Sequence, residues 1–180
     1  MSEPKRRLVE RITDESYVQR LGDRSLEELR AMRDECREGE NELSFERRLC
    51  QARIDILSAE LQRRNEGGDD DLLDRLPEIL ATDGPTVGES PLPDRAPDFS
   101  IPRNVDVPRR RVEEIVGEQT LTRLSQITSE EIRSIIATLA EHEEEVSRRR
   151  RQVHEVMDAI QAEIVRRYVS GEADPSAALG

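Results

Sequence analysis

Apolar residues recur along two stretches of the chain at steps of seven, and that spacing predicts long helices meeting along a seam. In the first stretch one row reads Leu29, Cys36, Leu43, Cys50, Leu57; in the second it reads Ile132, Leu139, Val146, Val153, Ile160. Every step is apolar, as the d row of a coiled coil requires. The companion row, three residues earlier, reads Leu26, Arg33, Glu40, Arg47, Ile54, Leu61 and, in the second stretch, Ser129, Ile136, Glu143, Arg150, Met157, Ile164. A Glu and an Arg hold the same two central steps in both. Each stretch opens on a capping box, Ser25 to Glu28 and Thr128 to Glu131, in which the hydroxyl and the carboxylate satisfy the unpaired amides of a helix start. The pattern therefore predicts an all-α protein: a first coiled-coil helix over 25–65 and a second over 128–169, paired antiparallel.

The two starts are 103 residues apart, and sliding the chain on itself by that amount sets Arg20–Gly68 on Arg123–Gly171 without a gap, with 17 of the 49 pairs identical. The sequence thus reads as two copies of one helical unit. Between them, seven of the nine prolines fall between residues 77 and 108, which marks 66–110 as a linker whose residues 81–108 are poor material for a core. One short amphipathic helix is expected near 70–81, built on Leu72, Leu73, Leu76, Ile79 and Leu80; it is either a docking element or a patch folded on the coil. The flanks are read as an N-terminal segment over 1–24 with a short helix, a short helix over 111–127 and a disordered tail over 170–180. Tyr17-Val18-x-x-Leu21 and Leu121-x-x-Leu124 are expected to pack against a coil end or a partner.

Composition narrows the function. Apolar residues make up 34% of the chain, Trp is absent, and the aromatics are Tyr17, Phe45, Phe99 and Tyr168 alone, too few to fill a wide core. With no nucleophile–base arrangement, phosphate loop or metal cluster either, an enzyme is a poor fit. The 28 Lys and Arg against 40 Asp and Glu leave a net charge of −12, which disfavours direct DNA binding and favours a basic protein partner. No apolar run is long enough for a membrane span and the N-terminus carries no secretion signal, so a cytoplasmic protein is expected. Cys36 and Cys50, both on the seam, read as small core residues rather than metal ligands.

The chemistry gathers at the charged seam steps. Glu40, Ser44, Arg47, Gln51 and Asp55 project within an arc of roughly 80° and form a polar stripe about 22 Å long. Glu143, Ser147, Arg150, His154 and Asp158 repeat it at the same offsets, with His154 standing where the first copy has Gln51. One reading is an ion-pair layer that fixes antiparallel register. The other is a binding site, since the stripe keeps an ordered set of donors and acceptors in both copies. His154 is either a ligand contact or a tolerated surface residue, the retained neighbours favouring contact; His142, in an acidic run, is expected to be solvated.

These residues resemble the signature of the RsiG family of actinobacterial anti-sigma factors, E-x3-S-x2-R-x3-Q-x3-D in two copies on an antiparallel coiled coil. The first copy here fits at every position, and the second departs only at His154. The resemblance implies that the chain binds cyclic di-GMP, singly or as a stacked pair, and when loaded sequesters a WhiG-type sporulation sigma factor. It also implies that all ten stripe residues face that nucleotide. Arg47 and Arg150 can fork onto guanine O6 and N7 or a phosphate, Asp55 and Asp158 can accept from a guanine N1–H edge, and the serines can meet phosphate or ribose. Gln51 and His154 can do either, while Glu40 and Glu143 can accept from guanine or hold an arginine. A constitutive coiled-coil adaptor or RNA-polymerase-binding regulator, with no nucleotide ligand, is the alternative.

Overall fold

The seam rows lie on two helices of 41 residues each. The computed structural model describes residues 8–66, 77 and 101–172. In chain order these form α1 (Leu8–Ile12), short 3-10 turns at Glu15–Val18 and Leu21–Asp23, α2 (Leu26–Glu66), α3 (Asp106–Ile115), α4 (Glu118–Thr122), a 3-10 turn at Leu124–Gln126 and α5 (Ser129–Val169). No strand occurs among the described residues. The amphipathic helix expected near 70–81 lies outside them but for Pro77, as do most of the linker and of the tail.

Both capping boxes form. The Glu28 amide donates to Ser25 Oγ at 3.1 Å and the Ser25 amide to Glu28 Oε2 at 2.7 Å; the Thr128 and Glu131 pair repeats this at 3.2 and 2.9 Å. The donated amide hydrogen bonds hold both carboxyls below the ordinary carboxylate range.

Two compact units make up the chain, residues 1–43 with 147–180 and residues 44–146. In the first unit the N-terminal part of α2 meets the C-terminal part of α5. Arg33 Nη1 donates to Gln161 Oε1 at 3.4 Å and Arg30 to the Tyr168 hydroxyl, so numbers rise along one helix as they fall along the other. Leu29, Cys36, Leu43, Val153 and Ile160 are buried here, with Val9 and Ile12 of α1. Gly39 makes the approach of α1 feasible, since a Cβ there would sit 2.9 Å from Ile12 Cδ1. In the second unit Cys50 and Leu57 of α2, Ile132 and Leu139 of α5, Val112 and Val116 around the end of α3, and Leu124 share one apolar cluster. The d row is therefore the core of each unit, and Leu121 and Leu124 pack into the second. Burial raises the Cys36 thiol to about 11 and the Cys50 thiol to about 12, which keeps both protonated as small apolar fillers.

The region after the linker differs from expectation. In place of one helix over 111–127, α3 begins at Asp106, is interrupted at Val116, and is followed by α4 and a 3-10 turn. Pro108 does not oppose the earlier start because it sits in the first turn, where no amide hydrogen is required. It is also fully buried, so the last residue of a segment read as poor material for a core does reach one. The interruption has a cause in Val116, which turns extended at φ −142, ψ 106 before Gly117. Its carbonyl accepts from Arg53 Nη1 at 2.8 Å instead of continuing the helix.

Each unit is closed by one arginine near the end of a long helix. Arg64 donates to the carbonyls of Ile127 at 2.7 Å and Leu124 at 2.8 Å, braced by Glu60 at 2.7 Å. Arg167, its counterpart under the 103-residue shift, donates to the carbonyls of Leu21 at 2.9 Å and Gly22 at 3.1 Å, braced by Glu163 at 2.8 Å. Hydrogen bonds from Arg166 and then Arg167 lower the Glu163 carboxyl from the usual 4.5 to about 2. A carboxyl depressed by folding stabilises the folded state above its unfolded value, and that stabilisation disappears as pH falls through the folded one. Helicity followed by circular dichroism should accordingly lose thermal stability between about pH 4.5 and 2. Glu163→Gln should flatten that part of the curve; an unchanged acid slope in the variant would show that the carboxylate does not couple to folding.

Candidate functional site

The antiparallel seam divides the ten stripe residues between the two units, and within each unit they come from both long helices. The first unit holds Glu40 from α2 with Ser147, Arg150, His154 and Asp158 from α5; the second holds Ser44, Arg47, Gln51 and Asp55 from α2 with Glu143 from α5. Each unit therefore holds four stripe residues of one sequence copy and the Glu of the other, and the cross-helix cluster is formed by Arg150 and His154 with Glu40 in the first unit and by Arg47 with Glu143 in the second. The 103-residue shift exchanges the cross-helix pairs, because Glu40 maps to Glu143 and Arg47 to Arg150.

The clusters are not equally closed. In the first unit Arg150 Nε donates to Glu40 Oε1 at 2.9 Å, and His154 Nε2 lies 3.5 Å from the same oxygen. In the second unit Arg47 Nη1 is 3.7 Å from Glu143 Oε1, and the buried Arg47 Nε has no hydrogen-bond partner. The side chains of Arg47 and Arg150 are about a third exposed, at 32% and 33%. Water reaches them, yet their stems are held by the seam. A guanidinium has five N–H donors in a planar fork, so one carboxylate oxygen leaves each arginine able to take an acceptor pair from a guanine edge or a phosphate. An unpartnered buried donor such as Arg47 Nε costs free energy until an acceptor arrives.

One part of this neighbourhood was missed at the level of sequence. His142, read as solvated, is half-buried with Nε2 2.8 Å from Glu46 Oε1. The other carboxylate oxygen of Glu46 accepts from Arg111 Nη1 of α3 at 3.0 Å, and Glu46 itself is 1% exposed. Glu46 precedes Arg47 and His142 precedes Glu143, so this buried network backs the second cluster and ties α3 to it. The acidic run around His142 suggested solvent because its partner comes from the far side of the seam.

Two long helices that meet along an antiparallel seam, with Glu opposed to Arg at matched steps of a duplicated motif, define the class of the protein as a two-helix seam built from two copies of one unit. The sequence model of the RsiG-like family matches residues 15–80 and 118–179. These matches cover most of the chain, and it belongs to the RsiG-like family. Membership points to a regulator of the anti-sigma kind, with a sigma factor as partner and not an enzyme. Comparison with curated proteins finds no match. Among the described residues, no helix is long and apolar enough to cross a membrane.

Proposed function

We propose that the protein is an anti-sigma factor that binds cyclic di-GMP through its two clusters and, when loaded, sequesters a WhiG-type sporulation sigma factor, repressing its transcription. The observation that carries this reading is the incomplete pairing of Arg47, whose buried Nε has no acceptor while Glu143 stands at 3.7 Å. Cyclic di-GMP offers O6 and N7 acceptors that an arginine fork can take, together with phosphate oxygens that a serine hydroxyl can meet and N1–H and N2–H donors that an aspartate can accept from. Because each cluster takes residues from both helices, a bound nucleotide joins the helices within a unit and favours one arrangement of them. A sigma factor that binds that arrangement is held only when nucleotide is present.

A second reading has support in the Arg150 to Glu40 bond of 2.9 Å, which by itself sets antiparallel register and fits a constitutive adaptor without a ligand. A pull-down of purified WhiG-type sigma factor by the full chain separates the two. Capture only when cyclic di-GMP is added is the expected result; equal capture with and without it favours the adaptor.

A further inference from the structure

The duplication leaves one place filled in the first unit and empty in the second. The 103-residue correspondence extends upstream without a gap, so that Tyr17 stands opposite Thr120, Glu28 opposite Glu131 and Met32 opposite Ile135. The structure follows it, with short helical turns at Glu15–Val18 and Leu21–Asp23 matched by α4 at Glu118–Thr122 and a turn at Leu124–Gln126. In the first unit the ring of Tyr17 lies against α2. Its hydroxyl donates to Glu35 Oε2 at 2.7 Å, with the Met32 carbonyl oxygen at 3.4 Å. Burial, then the bond to Glu35, raises the phenol well above its ordinary value, so it stays a neutral donor.

In the second unit Thr120 offers no ring. At that place the structure has an open cleft of about 500 Å³, lined by Thr120, Arg123, Ile127, Glu131, Ser134 and Ile135 among others. Its size falls within the range of pockets that take a side chain or small ligand, roughly 300 to 1,000 Å³. Its walls suit an amphipathic ring: Ile127 and Ile135 are apolar, while Glu131, Arg123 and Ser134 can meet a hydroxyl. The other copy of the same unit shows what a matching occupant looks like.

We propose that this cleft is a socket for an aromatic side chain, of tyrosine type, presented by the sigma-factor partner. The partner rests on the function proposed above; the socket rests on the unequal filling of the two copies. The occupant is a ring that packs against Ile135, the counterpart of the Met32 beside which Tyr17 sits, and turns its polar end to the charged rim of the cleft. Ring anchors in preformed pockets commonly dominate a protein interface, so one such residue would direct an asymmetric partner to the second unit rather than to its copy.

The test fills the socket from within. Thr120→Tyr restores the residue of the first copy, and it should lower the affinity of the nucleotide-loaded protein for WhiG-type sigma factor by about thirtyfold or more. Its calorimetric binding of cyclic di-GMP should stay unchanged, and Thr120→Ser should behave as wild type in both assays. Wild-type sigma affinity in Thr120→Tyr would overturn the proposal. If the unaltered protein binds no sigma factor at all, the proposed function falls and the socket is decided separately with 4-ethylphenol as probe. Shifts of the Ile127 and Ile135 methyl resonances in the unaltered protein, absent in Thr120→Tyr, would uphold an aromatic socket; no shift in either would refute it.

Discussion

Arg47→Ala and Arg150→Ala should each abolish cyclic di-GMP binding measured by calorimetry while the protein keeps its helical circular dichroism. Each arginine contributes the fork that a guanine edge or phosphate would occupy. Hydrogen bonds to charged groups contribute about 1.5 to 3 kcal/mol each, so losing a forked pair weakens binding by at least about a hundredfold. The fold should tolerate the loss. Arg47 and Arg150 are about a third exposed and their carboxylate partners 23% and 17% exposed, and pairs that water reaches contribute little to stability. Lysine should not rescue either position, because an ammonium lacks the planar fork. Normal binding by both alanine variants would remove the clusters from consideration as the nucleotide site.

Glu46→Ala should produce the largest loss of stability of any single polar change. Its carboxylate is buried, accepting from Arg111 at 3.0 Å and meeting His142 at 2.8 Å. Removing one member of a buried charge network typically costs about 3 to 5 kcal/mol. Because Arg111 and His142 each remain 24% exposed and can be partly rehydrated, the expected cost is about 2 to 3 kcal/mol, at or just below the lower end of that range. Urea unfolding should show the midpoint displaced accordingly, and Glu46→Gln, which keeps the shape and one hydrogen-bonding oxygen, should lose less. An unchanged midpoint in Glu46→Ala would mean that the network is energetically neutral.

The seam was legible because apolar residues at steps of seven have one economical arrangement, and Leu29 through Leu57 and Ile132 through Ile160 all lie buried as that arrangement requires. The opposition of Glu40 to Arg150 and of Glu143 to Arg47 was equally legible, since antiparallel copies of one motif bring those steps together. The network of Glu46 was not. Its partner Arg111 lies 65 residues away, and the positions corresponding to Glu46, Arg111 and His142 in the other copy are Arg149, Leu8 and Gly39. Comparing the copies, which exposed the stripe, therefore hid this feature. The early start of α3 was masked by Pro108, whose usual effect on helices vanishes in a first turn.

Arg64 and Arg167 impose a further condition on motion. A helix terminus normally frays by itself, because its last carbonyls and first amides are held by nothing beyond their own turn. Here the guanidinium near the close of one helix grips the carbonyls that lead into the other, at Leu124 and Ile127 in one unit and at Leu21 and Gly22 in the other. Loosening the finish of one rod also unfastens the beginning of its neighbour, so that within each unit the two breathe as a single cooperative segment instead of two independent ones.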